Sequence, residues 1–346
     1  MERFEWKRHK DIFKGVGIYH ITFVVSGRQP LLGRLTVDHD EPRCLPSDLG
    51  SAISHDLEHI QQRRPYVRLL AKQLMPDHIH VLLYITDDCG TSIREVARGM
   101  RQGWRQMAAS VVPPPTSVNI TPQMPSAEEY KQMPEGGMQP PLFEPPFFRT
   151  LAHKGQLDAM IRYIHDNPRR AILRQQNPDL FRIKQNYRLG RTPCVVLGNV
   201  FLADNPQRAV IKCSRKLTQE QIDAMREECL AEAANGTVYI SGAISEGEKQ
   251  ICKALREAGY PLIILLTEGF PEPDSPHYKY YKPGGVYFEA CAAGKLLLVQ
   301  PEKEVLERSD IEEKVTDKVG NIPHESQRYR FVAMDVIAED IACSAE

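Results

Sequence analysis

Leu74-Met75-Pro76-Asp77-His78-Ile79-His80-Val81-Leu82-Leu83-Tyr84 is the stretch from which the rest of the chain can be read. Successive side chains of a strand point to opposite faces, so His78 and His80 face the same way. Val81 to Ile85 are apolar and strand-forming, which predicts a buried strand with two imidazoles at its start. Neutral imidazole is the commonest protein metal ligand, and two that converge make half of a metal site. A lone His-x-His is more often a hydrogen-bonded pair than a ligand pair, so a second element has to carry the reading. Arg162-Tyr163-Ile164-His165-Asp166-Asn167-Pro168 offers one, because Tyr163 and Asn167 stand four apart and share a helical face. A phenol beside a metal is a candidate nucleophile.

Working outward, Gly17 to Val25 is β-branched and aromatic and predicts a first strand. Tyr66 to Leu74 predicts another, which Met75-Pro76-Asp77 turns into the His78 strand as an antiparallel pair. Ser47 to Arg63 predicts a helix, with Ser47-Asp48 as its cap and Leu49, Ile53, Leu57 and Ile60 at helical spacing. Thr91 to Val111 predicts a second helix, capped at Thr91 or Ser92, with Ile93, Val96, Ala97, Met100, Trp104, Met107 and Val111 on one face. Arg94, Arg98, Arg101 and Arg105 form an adjacent stripe, either a solvated face or a phosphate track.

Residues 112–147 carry ten prolines and Gly136-Gly137, which predicts an inserted loop or lid without secondary structure. Gly155 to Asn167 predicts a helix that packs through Leu157, Met160, Ile161 and Ile164 and ends or kinks before Pro168. From Arg169 to Arg191 the chain is basic, suited to a nucleic-acid strand passing Tyr163 or to a soluble linker.

From Thr192 the character changes. Cys194–Leu202, Ala209–Cys213, Thr237–Ile240, Leu262–Leu266 and Lys295–Gln300 predict strands, and Thr218–Ala234, Glu246–Ala258 and Tyr287–Ala293 predict helices. Helices alternating with continuous apolar strands are the pattern of a parallel α/β sheet.

A chain of 346 residues with 42% hydrophobic content can form two domains, each with its own core. It has no apolar run long enough for a membrane span, and its charged start lacks the apolar centre of a secretory signal, so the cytoplasm is expected. Eight cysteines without Cys-x-x-Cys spacing argue against zinc knuckles and redox pairs. Residues 1–192 hold 27 Lys+Arg against 20 Asp+Glu, a net of +7, and residues 193–346 hold 17 against 25, a net of −8. The basic half suits a polyanionic partner. Two histidines with an amide or carboxylate oxygen would leave open positions on a divalent ion such as magnesium or manganese held against a phosphate, and imidazoles would equally tolerate zinc.

Three strings taken together, Tyr19-His20-Ile21-Thr22-Phe23, Met75-Pro76-Asp77-His78-Ile79-His80-Val81-Leu82-Leu83 and Tyr163-Ile164-His165-Asp166-Asn167-Pro168-Arg169-Arg170-Ala171, resemble the single-tyrosine HUH transposases, and among them the REP-associated tyrosine transposases. The resemblance covers about residues 15–190. It implies a ferredoxin-like α+β core, His78 and His80 as metal ligands, Tyr163 as nucleophile and Asn167 as third ligand, with His165 competing for that place. It also implies Mg2+ or Mn2+ as cofactor, and single-stranded DNA with hairpin ends, such as a REP element, as substrate. Arg94, Arg98, Arg101, Arg105, Arg169 and Arg170 would guide the phosphates. Asp77 stands where the family usually has Asn, and the proline-rich insertion is longer than expected.

Residues 236–300 are similar to the Rossmann-like domain of DNA-processing protein A, through Val238-Tyr239-Ile240-Ser241-Gly242-Ala243-Ile244-Ser245-Glu246-Gly247-Glu248-Lys249 and Tyr287-Phe288-Glu289-Ala290-Cys291-Ala292-Ala293-Gly294-Lys295-Leu296-Leu297-Leu298. That likeness makes Ser241, Gly242 and Ser245 candidate phosphate contacts at a helix N-terminus. The net charge of this half argues instead for an accessory or dimerisation module.

The expectation is therefore an α+β ferredoxin-like HUH domain over residues 1–192, with the insertion at 112–147, followed by an α/β Rossmann-like domain over 193–346. The activity expected is metal-dependent nicking and strand transfer of single-stranded DNA through a 5′-phosphotyrosine link, with no membrane partner and no small-molecule substrate. Two other readings stand beside it: a domesticated protein that binds DNA hairpins without cutting, and a nucleotide enzyme run by the second half. Whether the protein is a monomer or a homodimer stays open.

Overall fold

The computed structural model describes residues 15–39, 41–86, 92–111, 141–153, 155–214, 216–275, 278, 281 and 283–343. The charged start, the Thr91 cap and residues 112–140 of the insertion lie outside the described residues. Contacts divide the chain into Met1–Ile172 and Leu173–Glu346. The division falls before the expected boundary at 192, because residues 184–189 pair into the second unit's sheet.

The first unit runs β1 (Gly17–Val24), β2 (Gly33–Asp38), β3 (Glu41–Pro46), α1 (Asp48–Glu58), α2 (Ile60–Arg63), β4 (Val67–Leu74), β5 (His78–Ile85), α3 (Ile93–Val111), β6 (Phe147–Leu151), α4 (Gln156–His165) and α5, which begins at Asn167 and runs to Gln176. Its main sheet has the order β4-β5-β1-β6 with every neighbour antiparallel. The strand period of two sorts the side chains into layers. Tyr19, Ile21 and Phe23 of β1 with Ile79, Val81, Leu83 and Ile85 of β5 face one way, into a core shared with Leu49, Ile53 and Leu57 of α1 and Val96, Met100 and Trp104 of α3. Ile18, Leu82 and Leu151 face the other way, onto Ile164, Leu157, Met160 and Ile161 of α4.

Local chemistry fixes the helices that cover the first face. Ser47 caps α1 by accepting from the Gly50 amide. Gly50 is needed for that approach, since a Cβ there would lie 1.9 Å from the Leu32 carbonyl oxygen. Ser92 and Glu95 close a reciprocal cap on α3, Ser92 Oγ accepting from the Glu95 amide and Glu95 accepting from the Ser92 amide. Trp104 is fully buried, donates Nε1–H to Asp56 Oδ2 at 2.9 Å, and meets Phe23 edge to face at 4.8 Å.

Three features depart from the sequence reading. The β2–β3 hairpin was not anticipated. Residues 141–147, expected within a structureless insertion, are tied into the fold: Phe143 is buried against Phe23 and Trp104 and bridges to Val25, and β6 starts at Phe147. Pro168 does not open a basic tail but sits in the first turn of α5, where its missing N–H costs nothing.

The second unit contains β7 (Lys184–Leu189), β8 (Thr192–Gly198), β9 (Arg208–Val210), α6 (Gln219–Ala234), β10 (Val238–Ser241), α7 (Glu246–Glu257), β11 (Leu262–Leu265), α8 (Gly285–Ala292), β12 (Leu296–Pro301), α9 (Lys303–Leu306), α10 (Ser309–Val319) and α11 (Gln327–Cys343). The sheet order is β7-β8-β12-β11-β10-β9. Strands β12, β11, β10 and β9 are parallel, whereas β8 and β7 join antiparallel, so the sheet is mixed rather than wholly parallel. One face packs on Ile311 and Val315 of α10 and Ala333, Ile337 and Ile341 of α11, and the other on Ile222 and Cys229 of α6 and Ile251, Cys252 and Leu255 of α7. Both faces are covered, which is why the strands read as continuous apolar runs. Among the described residues no helix is long and apolar enough to cross a membrane.

Candidate active site

The layer that holds α4 is apolar at one end of the sheet and polar at the other. The parity that sends Ile21 and Val81 into the α1–α3 core sends His20, Thr22, His78 and His80 to the α4 side. The β1–β5 register sets Thr22 opposite His80 and Val24 opposite His78. His80 Nδ1 lies 3.0 Å from His20 Nε2 and 3.1 Å from Thr22 Oγ1. The His20 and His80 rings stack at 5.2 Å, and His78 meets His80 edge-on at 4.9 Å.

His78 Nδ1 is 2.6 Å from Asp77 Oδ1, and Arg28 Nη1 donates to Asp77 Oδ2 at 2.9 Å. Burial raises the proton affinity of Asp77, but the hydrogen bond and charge of His78, with those of Arg28, outweigh it and bring the carboxyl down to about 2. An ionised carboxylate only accepts, so His78 carries its proton on Nδ1 and presents a lone pair on Nε2. Burial, assisted by the charge of Arg149, lowers His20 to about 4, so this ring is neutral near neutral pH. Arg149 stands directly opposite His20 in the β1–β6 register and is exposed.

Tyr163 reaches this group because its neighbour Ile164 is wholly buried under α4, against Ile18, Leu82 and Leu151. The Tyr163 ring lies edge-on to His80 at 5.9 Å and to His20 at 6.4 Å. The Arg170 guanidinium sits over the same ring at 5.5 Å. Asn167 is buried, and its Nδ2 donates to the carbonyls of Tyr163 at 2.8 Å and Ile164 at 3.2 Å, satisfying main-chain acceptors left where α4 ends. With the nitrogen so engaged, the amide oxygen is the atom that a cation would take. His165 is exposed.

The donor set suits a divalent ion in kind. His78 is braced by a carboxylate as ligating imidazoles usually are, His20 and His80 add neutral nitrogen, and Asn167 adds oxygen. His20, Thr22 and Arg149 were not singled out as site residues from sequence. Alternation with Tyr19, Ile21 and Phe23 was signal enough for His20 and Thr22, but Arg149 becomes visible only once β6 is paired with β1.

The arginines divide. Arg169 and Arg170 both hold the Asp166 carboxylate, at 2.6 Å and 3.0 Å, next to Tyr163. Arg94, Arg98 and Arg105 are exposed on α3, whose core belongs to the opposite face of the sheet. Arg101 is half-buried and donates to the Phe143 carbonyl at 2.6 Å, pinning the chain that leads into β6. The α3 stripe and the His/Tyr cluster are thus on different sides of the sheet.

In the second unit Ser241 and Ser245 are buried. Ser241 Oγ and Ser245 Oγ lie 3.1 Å from the oxygens of the Glu248 carboxylate, which also accepts from the Ile244 amide at 2.9 Å. The carboxylate stands where a phosphate was expected, and Gly242 sits in the same turn.

No family model and no curated protein matches the sequence. Solved structures similar to it include a REP-associated tyrosine transposase bound to a REP hairpin, 12% identical with a TM-score of 0.31, over 49% of this chain and 74% of that one. A protein from Deinococcus radiodurans assigned as a transposase is 18% identical with a TM-score of 0.25, over 49% of this chain and 98% of that one. DNA processing protein A from Helicobacter pylori, described for its single-stranded DNA binding, is 19% identical with a TM-score of 0.26, over 39% of this chain and 63% of that one.

Proposed function

We propose that the first unit is a ferredoxin-like HUH domain that nicks and rejoins single-stranded DNA with hairpin ends through Tyr163, and that the second is a Rossmann-like accessory domain. The observation that carries this reading is the Tyr163 ring set edge-on to His80 and His20 on the sheet face that also bears His78. His78, His80 and Asn167 would hold a divalent ion, Mg2+ or Mn2+, with His20 beside them. When bound, such an ion polarises a phosphodiester and steadies the leaving oxygen.

Tyr163 attacks the phosphorus through its phenolic oxygen. The bond to the 3′ oxygen breaks, and that oxygen leaves as a hydroxyl, gaining a proton as the phenol gives one up. The DNA 5′ end stays on the enzyme as a phosphotyrosine, which keeps the bond energy, so the 3′ hydroxyl of another strand reverses the step without nucleotide hydrolysis. Arg170 over the ring favours the phenolate. Arg149, exposed across from His20, is positioned to attract a phosphate.

Labelled hairpin oligonucleotides incubated with the protein and Mn2+ test the proposal. A denaturation-resistant adduct is expected, absent in Tyr163→Phe while that variant still binds the oligonucleotide. An adduct that persists in Tyr163→Phe assigns the nucleophile elsewhere.

A further inference from the structure

The last turn of α1 and the residue after it spell His55-Asp56-Leu57-Glu58-His59. Residues spaced three and four apart share a helical face, so His55, Glu58 and His59 converge while Asp56 and Leu57 turn inward. One ligand atom from each of the three lies within 4.8 Å of the others. The two rings are in contact at 4.2 Å. His59 Nδ1 is 2.8 Å from the His55 carbonyl oxygen, which can only accept. The His59 proton is therefore on Nδ1 and its Nε2 carries a lone pair, the bracing that a ligating imidazole usually has. Asp56 takes no part, since its carboxylate is buried against Trp104 Nε1 and Arg63.

We infer that His55, Glu58 and His59 form a second metal site, of two imidazoles and one carboxylate, for a zinc-class transition ion with water at its open positions. It is separate from the His/Tyr cluster, because α1 covers the opposite face of the sheet, and it stands whether or not Tyr163 is a nucleophile. Lys72 Nζ donates to Glu58 Oε1 at 2.7 Å, so an incoming cation competes with an ammonium for that carboxylate and binding is weaker than at a site without it. His59 is also the break between α1 and α2, with φ −100° and ψ 12°. An ion held there ties the last turn of α1 to that break and stabilises both. The alternative is that the two histidines merely favour the negative end of the helix.

Zn2+ binding by the full-length protein in thiol-free reducing buffer, followed by equilibrium dialysis, separates the two. His78→Ala/His80→Ala is compared with the same protein carrying His55→Ala and His59→Ala in addition, so that cysteines contribute equally to both. The double variant is expected to retain about one equivalent of Zn2+ that the quadruple variant lacks. It is also expected to gain melting temperature with Zn2+ where the quadruple variant does not. Equal Zn2+ uptake by the two overturns the site and leaves only the helix-end interaction. His55 is exposed, so His55→Ala alone replaces the pair if loss of His59 disturbs the fold, with the same two outcomes.

Discussion

On the α4 face of the first unit, His20, Thr22 and His80 hydrogen-bond among themselves, whereas in the second unit Ser241, Ser245 and the Ile244 amide all turn to one carboxylate, Glu248. Both places follow a strand, and both present polar side chains where the neighbours are apolar. The difference lies in what the partner is. Imidazoles and a hydroxyl are each donor and acceptor, so their bonds to one another can be exchanged for bonds to a ligand without exposing an unpaired charge. A carboxylate held by three donors is already the anion of its own site, and a phosphate would have to displace a buried, satisfied charge. Polar clustering in a sequence therefore marks a ligand site only where no residue of the same segment completes the cluster.

The largest effect that separates the two regions is on nicking. His78→Ala or His80→Ala is expected to lower the rate by on the order of 10²–10³-fold or more, the scale found when a preorganised electrostatic group is removed from the reacting phosphate. Single-turnover cleavage of a labelled hairpin measures it. Cleavage at near wild-type rate in both variants would put these imidazoles among structural hydrogen-bonded pairs, the same class as Glu248 and its serines.

Next comes stability. Glu248→Ala leaves the Ser241 and Ser245 hydroxyls and the Ile244 amide without their acceptor, which is expected to cost about 1–3 kcal/mol of folding free energy. Glu248→Gln, which keeps an oxygen, is expected to cost less. Chemical denaturation followed by circular dichroism reads both, and nicking by the folded variants is expected to stay unchanged. A Glu248→Ala protein that is as stable as wild type would mean that water replaces the carboxylate easily, and the contrast between the two regions would then narrow.

How far the sequence carried can be judged from the same two places. The His78–Ile85 strand, its pairing with Val67–Leu74, the α3 core face through Trp104 and the packing of α4 through Ile164 were all legible, because each is a periodicity within one segment. What depends on a second segment was not. Phe147–Leu151 is a five-residue strand next to prolines and gains its identity from pairing with β1. The helical phase of the α3 arginines was readable, but not the side of the sheet that α3 covers. In the second unit, Ser245-Glu246-Gly247-Glu248 was a local signal that went unused: Ser-x-x-Glu before a helix announces an internal partner for the serine. The helices after Pro301, which complete one face of that sheet, were not read at all.

The smallest expected effect tests where DNA runs. The sequence placed the phosphate track on α3, while the fold sets that helix behind the sheet and brings Arg149 beside His20. Arg149→Ala is accordingly expected to weaken hairpin binding by about tenfold or less, and to reduce the slope of log affinity against log salt by about 1, as loss of one phosphate contact does. Arg98→Ala, exposed on α3, is expected to leave both quantities unchanged. Fluorescence anisotropy across a salt series distinguishes them. The reverse result, with Arg98 setting the slope and Arg149 silent, would mean that the strand crosses the α1–α3 side and meets Tyr163 only by passing round the sheet edge. The inserted segment between α3 and β6 would then lie on its route.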